Sequence, residues 1–438
     1  MDDLSWGRFP RVRQDAIDLH ERDAALPRFG GHALPRGNGR SYGDSCLAPD
    51  GTLLRTRNLD HFIAFDPATG LLECEAGVLL DAIIALALPQ GWFLPVTPGT
   101  RYASVGGAIA NDVHGKNHHR TGSFGEHVVA FELLHSDGTR TICTQDNPEG
   151  LFAATIGGLG LTGLITRATL RLRRVPGPWM EVENIRFGTL DEFFALSSES
   201  AHSHEYSVAW IDCLASGASR GRGHFTRADH AATLLSDTRG RVQRPLSIPL
   251  TPPVSLVNRL TLRPFNQLYY WRQLRRHRRS TSHVLPFFYP LDSIHHWNRL
   301  YGPHGFLQYQ CVIPPDEAHA GIAALLDEIA SSSQGSFLAV LKEFGNRVSP
   351  GLLSFPRPGT TLALDFPNAG EGTFRLLDRL DRVVMEAGGA VYPAKDARMA
   401  PATFRRAYPQ LDVFLKHLDP RFKSGFWRRV MEQPCNAS

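Results

Sequence analysis

VTPGTRYASVGGAIANDVHGKNHHRTGSFGEH, residues 96–127, carries glycine at 99, 106, 107, 115, 122 and 125. Upstream, PRGNGRSYGDSC (35–46) adds Gly37, Gly39 and Gly43. Glycine at this density lets main-chain N–H groups approach a bulky anion without Cβ clashes. A diphosphate is the usual occupant of such a surface. Neither loop reads G-x-x-x-x-G-K-[ST], and neither shows the strand–G-x-G-x-x-G–helix layout of a Rossmann unit. Taken singly, any of these glycines marks a plain turn. As two ordered loops they read as a dinucleotide site of another architecture.

Working outward, HFIAFD and LLECEAG flank the turn Pro67–Gly70 and predict a hairpin over 61–76. VVAFELL and TRTICT flank Ser136-Asp137-Gly138 and predict a second. A helix is expected over 79–90, stopped by Gly91. Residues 164–173 alternate apolar and polar, as a half-buried strand does. Arg173-Arg174-Val175-Pro176-Gly177-Pro178 then breaks regular structure and marks a domain boundary. Helices are expected at 316–330 and 372–387.

The chain has 438 residues, enough for two or three domains. The N-terminus lacks a signal-peptide pattern, and no run reaches the ~18 apolar residues of a membrane span. A cytoplasmic location is expected. The six scattered cysteines (46, 74, 143, 213, 311, 435) include no C-x-x-C and read as free thiols.

The net charge of +4 conceals a local excess. Thr238–Leu291 contains ten arginines and neither Asp nor Glu; the rest of the chain holds 37 basic against 43 acidic residues. Phe265, Tyr269, Tyr270 and Trp271 are interleaved with those arginines. Arginine with interfacial aromatics suits an anionic lipid headgroup or a phosphate-bearing substrate, so a peripheral position on the inner face of the cell membrane is the accompanying expectation. A solvated basic insertion is the plainer alternative. No nucleic-acid motif accompanies the patch, and no nucleic-acid partner is expected.

The glycine loops resemble the vanillyl-alcohol-oxidase (PCMH) type of FAD domain, and more narrowly the decaprenylphosphoryl-ribose 2'-oxidases, the FAD subunit of a 2'-epimerase that makes a cell-wall polysaccharide precursor. RGNGRSYGDS (36–45), TPGTRYASVGGAIANDVHGKNHH (97–119), GSFGEH (122–127), GGLGLTGLITRAT (157–169), WNRLYGPHGFLQYQ (297–310), SFLAVLKEFG (336–345) and YPAKDAR (392–398) carry the resemblance in order. It implies an α+β fold: an FAD-binding domain with two subdomains at 1–175, and a substrate domain at 176–390 with an antiparallel sheet, flanking helices and a basic insertion at 238–291. Residues 391–438 return to the FAD domain. The resemblance puts Pro35, Arg36, Gly37, Asn38, Gly39, Arg40, Ser41, Tyr42, Gly43, Asp44 and Ser45 around the FAD diphosphate and ribityl chain. Gly99, Ser104, Val105, Gly106 and Gly107 form a second wall. Asn111, Asp112, Val113 and His114 pass the isoalloxazine, Ile165 lies toward the adenine and Tyr392 near the flavin. Related oxidases often bond the flavin to a first-loop histidine; Arg40 stands there, so noncovalent FAD is expected.

Lys395, in YPAKDAR, is the leading catalytic candidate, with His114 beside it. Oxidising a secondary alcohol needs a hydride acceptor, which the flavin is, and a group that takes or tolerates the hydroxyl proton. A lysine there can stabilise developing negative charge, or act as a base if burial depresses its pKa. Gln308 and Gln310 share one face of an apolar strand with Phe306 and Val312, and buried amides need partners. A polyhydroxylated substrate provides them, although an internal polar network would serve as well. Lys342 shares a face with Leu338, Val340 and Phe344. By family correspondence Tyr42, Trp210 and Phe288 complete the pocket. His114 and His118 are four apart, but HGKN in a glycine-rich stretch is a poor helix and no metal is expected.

Three departures bear on the substrate. Ala363 replaces a cysteine of the actinobacterial enzymes, Thr361 replaces the pocket Asn, and Phe288 stands at the tyrosine position with Tyr289 beside it. The expected activity is oxidation of the C2' hydroxyl of a polyprenyl-phosphoryl pentose, completed by a short-chain NAD(P)H-dependent reductase. The alternatives are a soluble alditol or aldonolactone oxidase and a non-catalytic FAD-bearing membrane protein.

Overall fold

The computed structural model describes residues 3–147, 150–232 and 246–432. Arg239, Arg241, Arg244 and Cys435 of the readings above lie outside the described residues. The fold is α+β, built on three principal sheets. A small parallel sheet orders Asp15–Asp18, Thr52–Arg55 and Ala33–Arg36, and delivers the first glycine loop from the end of its last strand. A five-stranded antiparallel sheet runs Phe62–Asp66, Leu71–Glu75, Leu164–Arg171, Val128–Leu134, Arg140–Thr144. Both expected hairpins are present in it. The expected helix beside it spans Leu80–Ala87 and tightens into a 3-10 turn at Leu88–Gln90; Gly91 ends it at φ 78°. Pro89 is the physical reason for that tightening: without an N–H it cannot continue the α-helical ladder.

The third sheet has eight strands and shapes the site. In order these are His277–His283, Trp179–Phe187, Gly223–His230, Tyr206–Ile211, Ala339–Phe344, Gly359–Pro367, Phe306–Ile313 and Ala390–Val391, all antiparallel neighbours. Side chains alternate across it with period two. One face (Ile185, Phe187, Ala209, Ile211, Leu341, Leu362, Leu364) packs in one apolar core with the helices Leu190–Ser203, Ala318–Ser332 and Glu371–Glu386. The other carries Val182, Asn184, Val208, Trp210, Thr226, Gln308, Gln310, Val340, Lys342 and Ala363 to the wall of a cavity of about 630 Å³.

The stretch 238–291 requires a correction. Its described part is not a detached insertion: 277–283 is the edge strand of the large sheet, and Val284–Phe288 is a helix with Phe287 and Phe288 in the core. Only the outer surface of this segment is free to carry its arginines.

After Val391 the chain crosses back to the glycine loops. Tyr42 N–H donates to Ala394 C=O, Ala33 bridges Phe422, and the Arg429 guanidinium joins Asp44 to Asp396. This crossing brings Lys395 beneath the first loop. No described helix is long and apolar enough to cross a membrane.

Candidate active site

Two cavities meet in the centre of the molecule. The first lies between the loops. Pro35, Arg36, Gly37, Asn38, Gly39, Arg40, Ser41 and Ser45 line one wall; Ser104, Gly106, Gly107, Asn111 and Val113 line the opposite one. Ile165 and Tyr392 line it as well. Ser104 caps the short helix Val105–Ala110 by accepting the Gly107 N–H at 3.3 Å. The loops approach so closely that a Cβ on Gly37 would lie 2.0 Å from Ser104 Oγ. Among the described residues, the N–H groups of 37–41 have no protein acceptor. Ser45 Oγ and Arg40 Nε are buried without partners. Consecutive unclaimed donors in a glycine-lined cleft fit the diphosphate and ribityl oxygens of FAD.

Four residues expected at the cofactor do not line either cavity. Gly43 is a contact glycine: a Cβ there would lie 1.7 Å from Asp396 O. Asp44 is buried in the ion pair with Arg429. Val105 points into the apolar core. Asp112, fully buried at φ 40°, accepts from Gly125 N–H and from the hydroxyls of Ser349 and Ser354. These side chains hold the loops in place from behind. Gly43→Ala is therefore expected to force the 394–397 crossing away from the first loop, at a cost of about 1–3 kcal/mol from overpacking. A lower melting temperature with reduced FAD content would show it; an unchanged melt would contradict the contact.

The second cavity is the one under the large sheet. Tyr42, Gly99, His114, Trp210, Phe288, Gln308, Gln310, Lys342 and Lys395 all line it. Arg40, Pro98, Thr100, Val113, Tyr392 and Lys395 line both cavities and so mark their junction. Trp210 Nε1 donates to Phe337 C=O, which fixes its ring against the wall. Phe288 lines the cavity, whereas Tyr289 does not, and its hydroxyl bonds Thr97 Oγ1 at 2.6 Å. Ala363 is on the wall and Thr361 bonds Gln310.

Basic side chains outnumber acidic ones in this lining: Arg40, Lys116, Arg272, Lys342 and Lys395 against Asp292. Burial pulls Lys395 down to about 7, Lys116 to about 7 and Lys342 to about 8. The Lys395 ammonium sits 3.9 Å from the centre of the Tyr42 ring. Burial also raises the Asp365 carboxyl to about 7; Gln308 Nε2 donates to its Oδ1 at 2.6 Å, and its Oδ2 has no partner. Asp365 and Lys395 act on each other electrostatically, and burial drives both toward neutrality.

His114 is held between Gln310 Nε2 at 2.9 Å and Lys342 Nζ at 3.2 Å, one at each ring nitrogen. Burial and the neighbouring lysines lower its pKa well below the usual histidine range, so the ring is neutral. A neutral imidazole has one donor and one acceptor. Protonated Lys342 donates to Nδ1, so Nε2 carries the proton and Gln310 must offer its amide oxygen. Amide N and O are assigned from such networks. That orientation also lets the Thr361 hydroxyl donate to Gln310. The polar network expected as an alternative for Gln310 and Lys342 thus exists, and it ends on the cavity.

Sequence reasoning missed Lys116, whose ammonium lies 4.4 Å from the Phe287 ring centre and donates to Phe287 C=O. It also missed Asp365, and the third wall of the first cavity at Leu159, Gly160 and Gly163. That wall had a signal: GGLGLTG is glycine-rich, and Gly160 needs φ 76°.

Comparison with known proteins agrees with this geometry. A model described as an FAD binding domain matches residues 24–144. A decaprenylphosphoryl-beta-D-ribose oxidase from Mycolicibacterium smegmatis is 38% identical over 98% of this chain and 96% of its own length. The chain belongs to the decaprenylphosphoryl-ribose oxidase family. A protein in the mprA 5' region of Streptomyces coelicolor is 39% identical over 81% of this chain and 100% of its own. The mitochondrial D-2-hydroxyglutarate dehydrogenase of Bos taurus is 28% identical over 37% of this chain and 30% of its own. This family member is an FAD-dependent oxidoreductase. Its first cavity offers the donors and glycine surfaces that FAD needs, and its second adjoins the first at Lys395 and Tyr392.

Proposed function

We propose that the enzyme oxidises the C2' hydroxyl of a polyprenyl-phosphoryl pentose to a ketone, as the first half of an epimerisation. The observation that carries this reading is the junction of the two cavities. Lys395 and Tyr392 belong to both, and the wall of the larger cavity combines three amides (Asn184, Gln308 and Gln310) and three lysines with hydroxyl, histidine and apolar side chains. FAD, when bound, supplies the hydride acceptor. Gln308 and Gln310 orient the sugar hydroxyls, Lys342 and Lys116 favour an anionic substrate, and Trp210 and Phe288 keep the wall dry. Lys395 as the free amine takes the hydroxyl proton while the carbon loses hydride. The covering apolar residues exclude water, which strengthens each of these interactions.

The ketone would pass to a separate short-chain NAD(P)H-dependent reductase, with both proteins on the inner face of the cell membrane. A sequence of this kind needs no soluble intermediate. Incubation with a polyprenyl-phosphoryl pentose, trapping with borodeuteride and mass spectrometry should place one deuterium at C2'. Deuterium elsewhere, or oxidation only of soluble alditols and aldonolactones, would replace this substrate assignment.

A further inference from the structure

Nine of the thirteen large apolar side chains exposed among the described residues fall between 246 and 274. The helix Arg259–Trp271 shows how they are arranged. Leu262, Asn266 and Tyr270, spaced by four, are buried on one side. Leu260, Pro264, Leu268 and Trp271, spaced by four, four and three, form a stripe on the opposite side. Leu260 is 86% exposed, Leu268 74% and Trp271 47%. Leu250, Val254, Leu256 and Leu274, in the chain on either side of the helix, are exposed as well. An ordinary surface helix buries its apolar face; this one presents a second to solvent.

The segment that carries the stripe has charge of one sign. The described segment 246–291 holds seven arginines and no acidic residue. Arg276 and Arg279 reach Glu192 and Glu183, but Arg263, Arg275 and Arg278 have no carboxylate partner among the described residues. The side of the helix turned away from this stripe borders the larger cavity. Tyr269 and Arg272 of this helix segment line that cavity, as do Ile294 and His295 of the strand that pairs with Leu246–Ser247.

We infer that this helix and its flanking loops are a docking face for an anionic lipid surface, into which Leu260, Leu268 and Trp271 insert while the arginines meet the headgroups. The occupant follows from the combination. A protein partner or a second copy could cover the leucines, but unpaired arginines beside a lipid-depth apolar stripe complement phospholipid headgroups directly. The consequence for catalysis rests on the substrate reading above: a lipid-linked sugar would enter the cavity from the bilayer without crossing water.

The test uses the full-length FAD-loaded protein, sedimented with phosphatidylcholine vesicles with or without phosphatidylglycerol. Binding is expected on the anionic vesicles and is expected to weaken with salt. A Leu260→Ser/Leu268→Ser double variant should bind at least about tenfold more weakly. An Arg263→Gln/Arg275→Gln/Arg278→Gln variant should lose the preference for phosphatidylglycerol. All substituted side chains are exposed and lie off the cavity wall, so folding and flavin reduction by a detergent-dispersed substrate should be retained. Wild-type protein left in the supernatant, or leucine variants that pellet as wild type does, would overturn the docking face. So would a dimer that the same leucine substitutions dissociate, with no vesicle binding. If vesicles bind as expected but no polyprenyl-phosphoryl pentose reduces the flavin, the docking face stands and the substrate reading fails.

Discussion

Lys395→Ala is expected to slow substrate-driven flavin reduction by about 10²–10⁴-fold, the range that a positioned acid or base supplies. FAD should remain bound, because the donors of the first cavity do not depend on this side chain. Stopped-flow bleaching of the flavin band would measure both. The pH dependence follows from burial, which lowers Lys395 from 10.5 to about 7. Below that value the lysine is an ammonium and cannot accept a proton; above it the free amine can. The reductive rate of the wild type should therefore climb with pH through about 7. Lys395→Arg keeps the cation at every pH and should be slow throughout; an active arginine variant would mean that charge alone suffices. Asp365→Asn adds a positioning test. Removing a carboxylate that favours the ammonium should move the midpoint of the rate profile to lower pH, whereas a merely structural role for Asp365 would leave the midpoint in place.

The second large effect concerns stability. Asp112→Ala removes the acceptor of three donors: Gly125 N–H, Ser349 Oγ–H and Ser354 Oγ–H. Each buried donor left unpaired costs about 1–3 kcal/mol. Ser349 Oγ and Ser354 Oγ lie 2.8 Å apart, so without the carboxylate one hydroxyl can donate to the other; part of that cost is recovered and a loss of about 3–4 kcal/mol is expected. The alanine would, in addition, have to hold φ 40° without the local hydrogen bonding that lets Asp and Asn tolerate it. Denaturant titration of the holoprotein should show the loss. The carboxylate bonds the chain at 349–354, so flavin affinity should fall only as far as the loop loosens. A stable Asp112→Ala protein with specifically weakened FAD binding would return Asp112 to the cofactor wall.

What the chain disclosed before its fold was known has a physical pattern. The glycine loops were legible because a main-chain surface for an anion must exclude Cβ atoms, and that exclusion is written as glycine. Gln308, Gln310 and Lys342 were legible because a two-residue period places alternate side chains on one face. The errors have the same logic. Gly43 and Gly37 look alike in sequence, but Gly37 makes room for Ser104 Oγ at the cavity wall and Gly43 for the carbonyl of Asp396, some 350 residues away in the chain. Asp112 and Asn111 are neighbours, yet only Asn111 reaches the cavity, because φ 40° turns the aspartate toward Ser349 and Ser354. Lys116 and Asp365 could not be placed beside the sheet cavity without knowing which strands pair. The basic segment looked like an insertion because its charge hides a strand, HRRSTSH, whose pairing with 179–185 depends on tertiary context.

The most direct test is an anaerobic visible spectrum of the purified, FAD-loaded enzyme before and after addition of a polyprenyl-phosphoryl pentose. The account predicts that the oxidised flavin band bleaches, and that soluble alditols leave it unchanged. A flavin that stays yellow with the lipid-linked sugar and bleaches with a soluble alditol would contradict the proposed substrate.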